Sequence, residues 1–120
     1  MKDLLALAFL GDALHTLYVR EKIVRSSSLK MDEINKLASK FCRATFQAKV
    51  LDKLIENLSE EEKELVRKTR NIKNKHKAKN TDIMTYKKAT CFEALVGYHY
   101  LEKNLDRMTF LLEESMKGEN

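Results

Sequence analysis

Residues 4–19 read LLALAFLGDALHTLYV and residues 90–101 read TCFEALVGYHYL. In both, apolar side chains recur on nearly every turn of a 3.6-residue period, which predicts helices apolar almost all round. Each also holds one acid, Asp12 or Glu93, inside the apolar pattern. The rest of the chain supports the helical reading. With no proline and three glycines in 120 residues, it lacks the punctuation that a turn-rich β protein needs.

Outward from these two segments the chain reads as an all-α domain with one core. The first helix covers about residues 4–23. Ser26 to Ser28 interrupt it, and Ser28 is expected to cap a second helix carrying Met31, Ile34, Leu37, Ala38 and Phe41. A third runs from about Ala44 to Leu58, with Phe46, Val50, Leu51, Leu54, Ile55 and Leu58 on one side. Ser59 and Glu62 have the spacing of a capping box, so a fourth helix starts there. Residues 73–81 are polar and aperiodic and read as a loop. A long helix from about Met84 to Lys103 follows, and Asn104 is expected to cap a last one ending near Lys117, with Gly118 to stop it. There is no repeat or linker, and 120 residues suffice for one core.

The net charge of +5 is concentrated in one place. Arg67, Lys68, Arg70, Lys73, Lys75, Lys77 and Lys79 supply seven positive charges with no acid among them, so the remainder of the chain is net negative. A solvated face usually mixes signs, as Glu60 to Lys63 does; an unmixed block suits a polyanion such as nucleic acid. The longest apolar run, Leu4 to Leu10, is far short of the roughly 20 residues a membrane span needs. The periodicity continues past it without a cleavage site, so a cytoplasmic protein is expected. Cys42 and Cys91 sit in apolar-patterned segments and read as reduced packing thiols.

Asp12 shares its helix face with Leu5, Ala8 and Phe9 before it and His15 and Thr16 after it. Glu93 shares its face with Tyr86, Ala89, Thr90, Gly97 and Tyr100, where small residues admit another backbone. Both carboxylates are therefore expected to be partly buried, which costs several kcal/mol per ion unless compensated. Two readings supply compensation: a basic partner such as Lys87, Lys88 or Arg20, or convergence of the two acids on a divalent cation. Ligation by few carboxylates suits Mg2+, which keeps several waters. Zinc does not fit, because His15, His76 and His99 lack ligand spacing and read as core or surface residues.

FLGDAL around Asp12 and FEALVGYHYL around Glu93 resemble the two signature segments of the ribonuclease III catalytic domain, in the same order and separation. The resemblance covers nearly the whole chain. RNIKNKHKAKNTDIMTYKKATCFEAL, with no room afterwards for a double-stranded-RNA-binding domain, resembles the Mini-ribonuclease III subclass, a catalytic domain alone over residues 1–120. The resemblance implies an all-α, homodimeric, Mg2+-dependent endoribonuclease that hydrolyses double-stranded RNA, leaving 5′-phosphate and 3′-hydroxyl ends, in ribosomal RNA (large-subunit) maturation. It implies Asp12 and Glu93 as catalytic metal ligands, and Phe9 as the aromatic inserted into the partner subunit. Arg67, Arg70, Asn71, Lys73, Lys75, Lys77 and Lys79 are the candidates for duplex contact. The usual first signature has acids where this chain has Leu5 and Ala8, and the usual second has an aspartate where it has Thr90. Only Asp12 and Glu93 therefore carry over, and the Mini-ribonuclease III subclass shares these losses. Asp82 is expected to cap the long helix or lie in the loop rather than add a ligand. The alternatives are a degenerate ribonuclease III-like module that binds RNA or ribosomes without cutting, and a helical protein-interaction domain.

Overall fold

The computed structural model describes residues 3–73 and 82–117. They form α1 (Leu4–Ser26), α2 (Met31–Cys42), α3 (Ala44–Leu54) continued by a 3-10 turn (Ile55–Asn57), α4 (Glu60–Arg70), α5 (Ile83–Leu101) and α6 (Leu105–Glu114). No strand occurs among the described residues. Lys75, Lys77, Lys79, His76 and Gly118 lie outside them.

α5 is the central helix, and α1, α3, α4 and α6 pack around it. Cys91, Phe92, Ala94, Leu95 and Val96 are wholly buried on consecutive turns, which is why the TCFEALVGYHYL segment shows no polar face. α1 differs from the expectation for a helix apolar all round. It buries one stripe, Leu7, Ala8, Gly11, His15, Val19 and Ile23, at spacings of three and four. Leu4, Leu14 and Tyr18 pack partly against the core beside that stripe, but the opposite side faces outward: Phe9 is 82% exposed, and Leu5, Leu17 and Val24 are exposed with it.

α1 and α5 cross at two glycines. A Cβ on Gly11 would stand 1.7 Å from the Glu93 carbonyl oxygen, and one on Gly97 would stand 2.1 Å from that of Leu7. Backbone therefore meets backbone, and no other residue fits at either position. Asp12 follows Gly11 directly, so the same crossing carries its carboxylate to the turn of α5 that holds Glu93.

The caps follow the sequence in part. Ser59 Oγ accepts from Glu62 N at 3.1 Å while Glu62 accepts from Ser59 N at 2.8 Å, completing the expected box. Asp82 caps α5, accepting from Thr85 N at 2.8 Å. Asp3 caps α1 through Leu5 N. Ser28 does not cap α2, which begins at Met31; there the Glu33 carboxylate accepts from Lys30 N at 3.3 Å, and Met31 is exposed rather than inward. Asn104 stands at the N-cap position of α6, but its amide turns back and donates to His99 Nδ1. α6 ends at Glu114, short of Lys117, and Ser115 donates to the Leu112 carbonyl.

Candidate active site

Asp12 from α1 and Glu93 from α5 share the wall of an open groove of about 430 Å³, together with Phe9, Cys42, Gln47 and Thr90 among others. Their side chains come within hydrogen-bonding reach of each other. Glu93 is half-buried, as expected. Asp12 is exposed, contrary to expectation, because the α1 face that carries it opens onto the groove instead of meeting a neighbouring helix.

Burial, then the neighbouring charge of Asp12, pushes the Glu93 carboxyl up to about 8. A lone carboxylate in water would ionise far below that, so the site resists holding two negative charges without a compensating cation. Of the three basic side chains expected as partners, Lys88 pairs with Asp52 at 2.9 Å, Lys87 lines a different groove, and Arg20 lines another with Thr16, Asn35 and Ser39. The positions lacking the usual acids add no oxygen ligand of that kind. Leu5 is exposed, Ala8 is buried, and the Thr90 hydroxyl donates to the Tyr86 carbonyl of its own helix. Among the described residues no group of three His, Cys, Asp or Glu side chains is arranged to hold a metal, so the donor set is two carboxylates.

Gln47 of α3 was not legible as a site residue. It is 3% exposed, and its Nε2 lies 3.4 Å from Glu93 Oε2 and 3.1 Å from His15 Nδ1. A signal did exist, since position 47 continues the inward stripe of Val50, Leu51 and Leu54, where a polar residue requires a partner. His15 and His99 are buried, in line with core roles. Cys42 borders the groove beside Thr16, and burial pushes the thiol of Cys91 up to about 12, which keeps it unreactive.

A second groove, of about 470 Å³, is basic. Arg67, Arg70 and Asn71 line it with Lys63 and Lys87, over an apolar floor that includes Val66 and Met84. Lys73, two residues after Asn71 in the chain, is exposed. Arg67 is not an uncommitted cation, because Nε and Nη2 donate to both oxygens of Glu64 at 2.8 and 2.7 Å. Lys63 could have been found from its spacing to Arg67 and Arg70 on one helix face. Lys87 could not, because only the packing of α5 on α4 brings it there.

The Ribonuclease III domain family model matches residues 5–104. A Mini-ribonuclease 3 of Thermoanaerobacter sp. (strain X514) is 40% identical over 94% of this chain and 80% of that protein. One from Desulfitobacterium hafniense (strain Y51) is 41% identical over 92% of this chain and 69% of its own. A crystal structure of a Fusobacterium nucleatum protein superposes with a TM-score of 0.86 at 31% identity, covering 98% of this chain and 94% of that one. The two signature segments, the helical architecture and these likenesses agree: the chain belongs to the ribonuclease III family, within its Mini-ribonuclease III branch, and is an endoribonuclease of that type.

Proposed function

We propose that this chain hydrolyses double-stranded RNA at Asp12 and Glu93, using Mg2+, as a homodimer that matures ribosomal RNA precursors, those of the large subunit included, in the cytoplasm. The observation that carries the reading is the convergence of two carboxylates, from two helices locked at Gly11, in a groove open to a large substrate. The donor set fits Mg2+: it is oxygen only, small in number, and held so that Glu93 resists ionisation until a cation joins it. When bound, the ion would supply Lewis acidity and lower the pKa of a water, so that hydroxide is available to attack a phosphodiester. Asp12 and Glu93 would hold it; Gly11 keeps the two helices in register; Arg70, Asn71, Lys63, Lys87 and Lys73 offer positive charge and hydrogen bonds to phosphates. Duplex RNA is recognised largely by shape and backbone contacts, which such a surface supplies without reading bases. The same role is proposed for Arg67 and for Lys75, Lys77 and Lys79.

The exposed Phe9, with Leu5 beside it, supports a second subunit on that side of α1, since large apolar side chains so exposed are what an isologous interface covers. The catalytic domain would then be residues 1–120, paired with its own copy. No helix among the described residues is long and apolar enough to cross a membrane. Ribosomal RNA as the substrate is what the branch resemblance implies. Incubating the purified protein with duplex RNA, with and without Mg2+, tests the chemistry. Mg2+-dependent cuts that leave 5′-phosphates are expected, and binding without cutting would refute the proposed site.

A further inference from the structure

An amide in the apolar stripe of α3 needs a reason, and the atoms around Gln47 supply one. An amide nitrogen only donates, so one N–H of Gln47 points at Glu93 Oε2. Its other N–H can point at His15 Nδ1 only if that nitrogen carries no proton. The His15 ring is wholly buried, standing edge-on to Phe92 at 5.3 Å, and its Nε2 has no hydrogen-bond partner. Burial lowers its pKa to about 4 against the raising influence of Asp12, so the ring is neutral. Its one proton then resides on Nε2, and Nδ1 is free to accept.

We propose that His15 and Gln47 form an orienting relay for Glu93: the His15 ring accepts from the Gln47 amide, which turns the NH2 edge of that amide toward Glu93 and holds its carboxylate facing Asp12. Both are positioning residues. Reversing the amide would set its carbonyl oxygen against Glu93 once that carboxyl ionises to hold a cation, and in either protonation state the lone pair of His15 Nδ1 disfavours the reversal. The three groups come from α1, α3 and α5, so the relay ties the orientation of Glu93 to the packing of three helices. It rests on the assignment of Glu93 as a metal ligand.

Gln47→Met preserves length but removes the donor, and His15→Phe preserves the ring but removes the acceptor. Each should fold and should need about 10- to 100-fold more Mg2+ than wild type, both for half-maximal cleavage and for half-maximal thermal stabilisation by Mg2+. A merely structural role would lower the melting temperature without moving the Mg2+ midpoint. His15→Asn, which restores an acceptor near the Nδ1 position, should recover much of the loss. Unchanged Mg2+ midpoints in both variants overturn the relay.

Should either variant unfold, the wild-type protein decides by nitrogen-15 NMR. An unprotonated Nδ1 on His15 and a Gln47 side-chain amide that shifts on Mg2+ titration support the relay; a protonated Nδ1 or an unmoved amide overturns it. Failure of the underlying site looks different. Glu93→Gln would then cut as wild type does, whereas an enzyme dependent on Glu93 but indifferent to Gln47→Met loses only the relay.

Discussion

At Glu93 one carboxyl carries two opposed demands. Its folded pKa of about 8 exceeds its unfolded value of 4.5, so the folded state keeps a proton that the unfolded chain has released. The resulting penalty is absent below about pH 4.5, grows as pH rises, and is complete above about 8. Glu93→Gln removes it. The variant should be more stable than wild type in metal-free buffer, with the largest gain above pH 8 and none in acid, as thermal melts across that range will read. Cleavage of duplex RNA should be abolished in Glu93→Gln and equally in Asp12→Asn. Wild-type rates in either would remove that residue from the site. Activity and stability thus oppose each other at this residue, as at sites where charge is held for function rather than for folding.

Among the helices, one contact builds the site and another secures the far end of the bundle. Gly11→Ala sets a methyl group against the Glu93 backbone, and backbone cannot turn aside as a side chain can. We expect a loss of about 3 kcal/mol or more in urea unfolding, with cleavage lost as α1 and α5 separate. The second contact joins α4, α5 and α6 at Glu62, which is 2% exposed. Arg107 donates to both of its oxygens at 2.8 Å, and His99 Nε2 lies 2.6 Å from Oε2. Burial resists the charge on Glu62, but hydrogen bonds from Arg107, the Ser59 backbone and His99 outweigh it and hold the carboxyl down at about 2. Here the sign is the reverse of Glu93: the stability is present above about pH 4.5 and is lost as pH falls through the folded value near 2. Glu62→Gln should cost about 3 kcal/mol at pH 7. Urea unfolding at pH 7 and pH 3 should show the gap from wild type narrowing in acid, and a gap independent of pH would place the stabilisation elsewhere.

For the whole molecule, the exposed side of α1 and the basic groove carry the proposed association with a second copy and with RNA. Phe9→Ala should weaken dimerisation at least about tenfold, since burying such a side chain contributes roughly 1.5–3 kcal/mol. Light scattering that finds wild type monomeric at micromolar concentration would exclude the dimer. At the basic groove, replacing Lys63, Arg70 and Lys87 together by Gln should weaken duplex binding alike for different sequences. It should also flatten the dependence of log affinity on log salt by somewhat under one unit per lost phosphate contact. An unaltered slope would send RNA to another surface.

Helix content, the Ser59–Glu62 cap and the two acids were legible in the sequence because each depends on spacing along one helix, where residues three or four apart are neighbours whatever the rest of the chain does. Gly97 was legible for the same reason, as a small residue on the face of Glu93. What faces what was not. The exposure of Asp12 and the exposure of much of α1 depend on where neighbouring helices stop, and the caps of α2 and α6 depend on which side chain reaches the open backbone groups first. The joining of His15, Gln47 and Glu93 spans separations of 32 and 46 residues. Lys87 enters the basic groove in the same way, from a helix distant in sequence. Periodicity states that a polar group lies inside, but only the crossing of three helices decides which partner satisfies it.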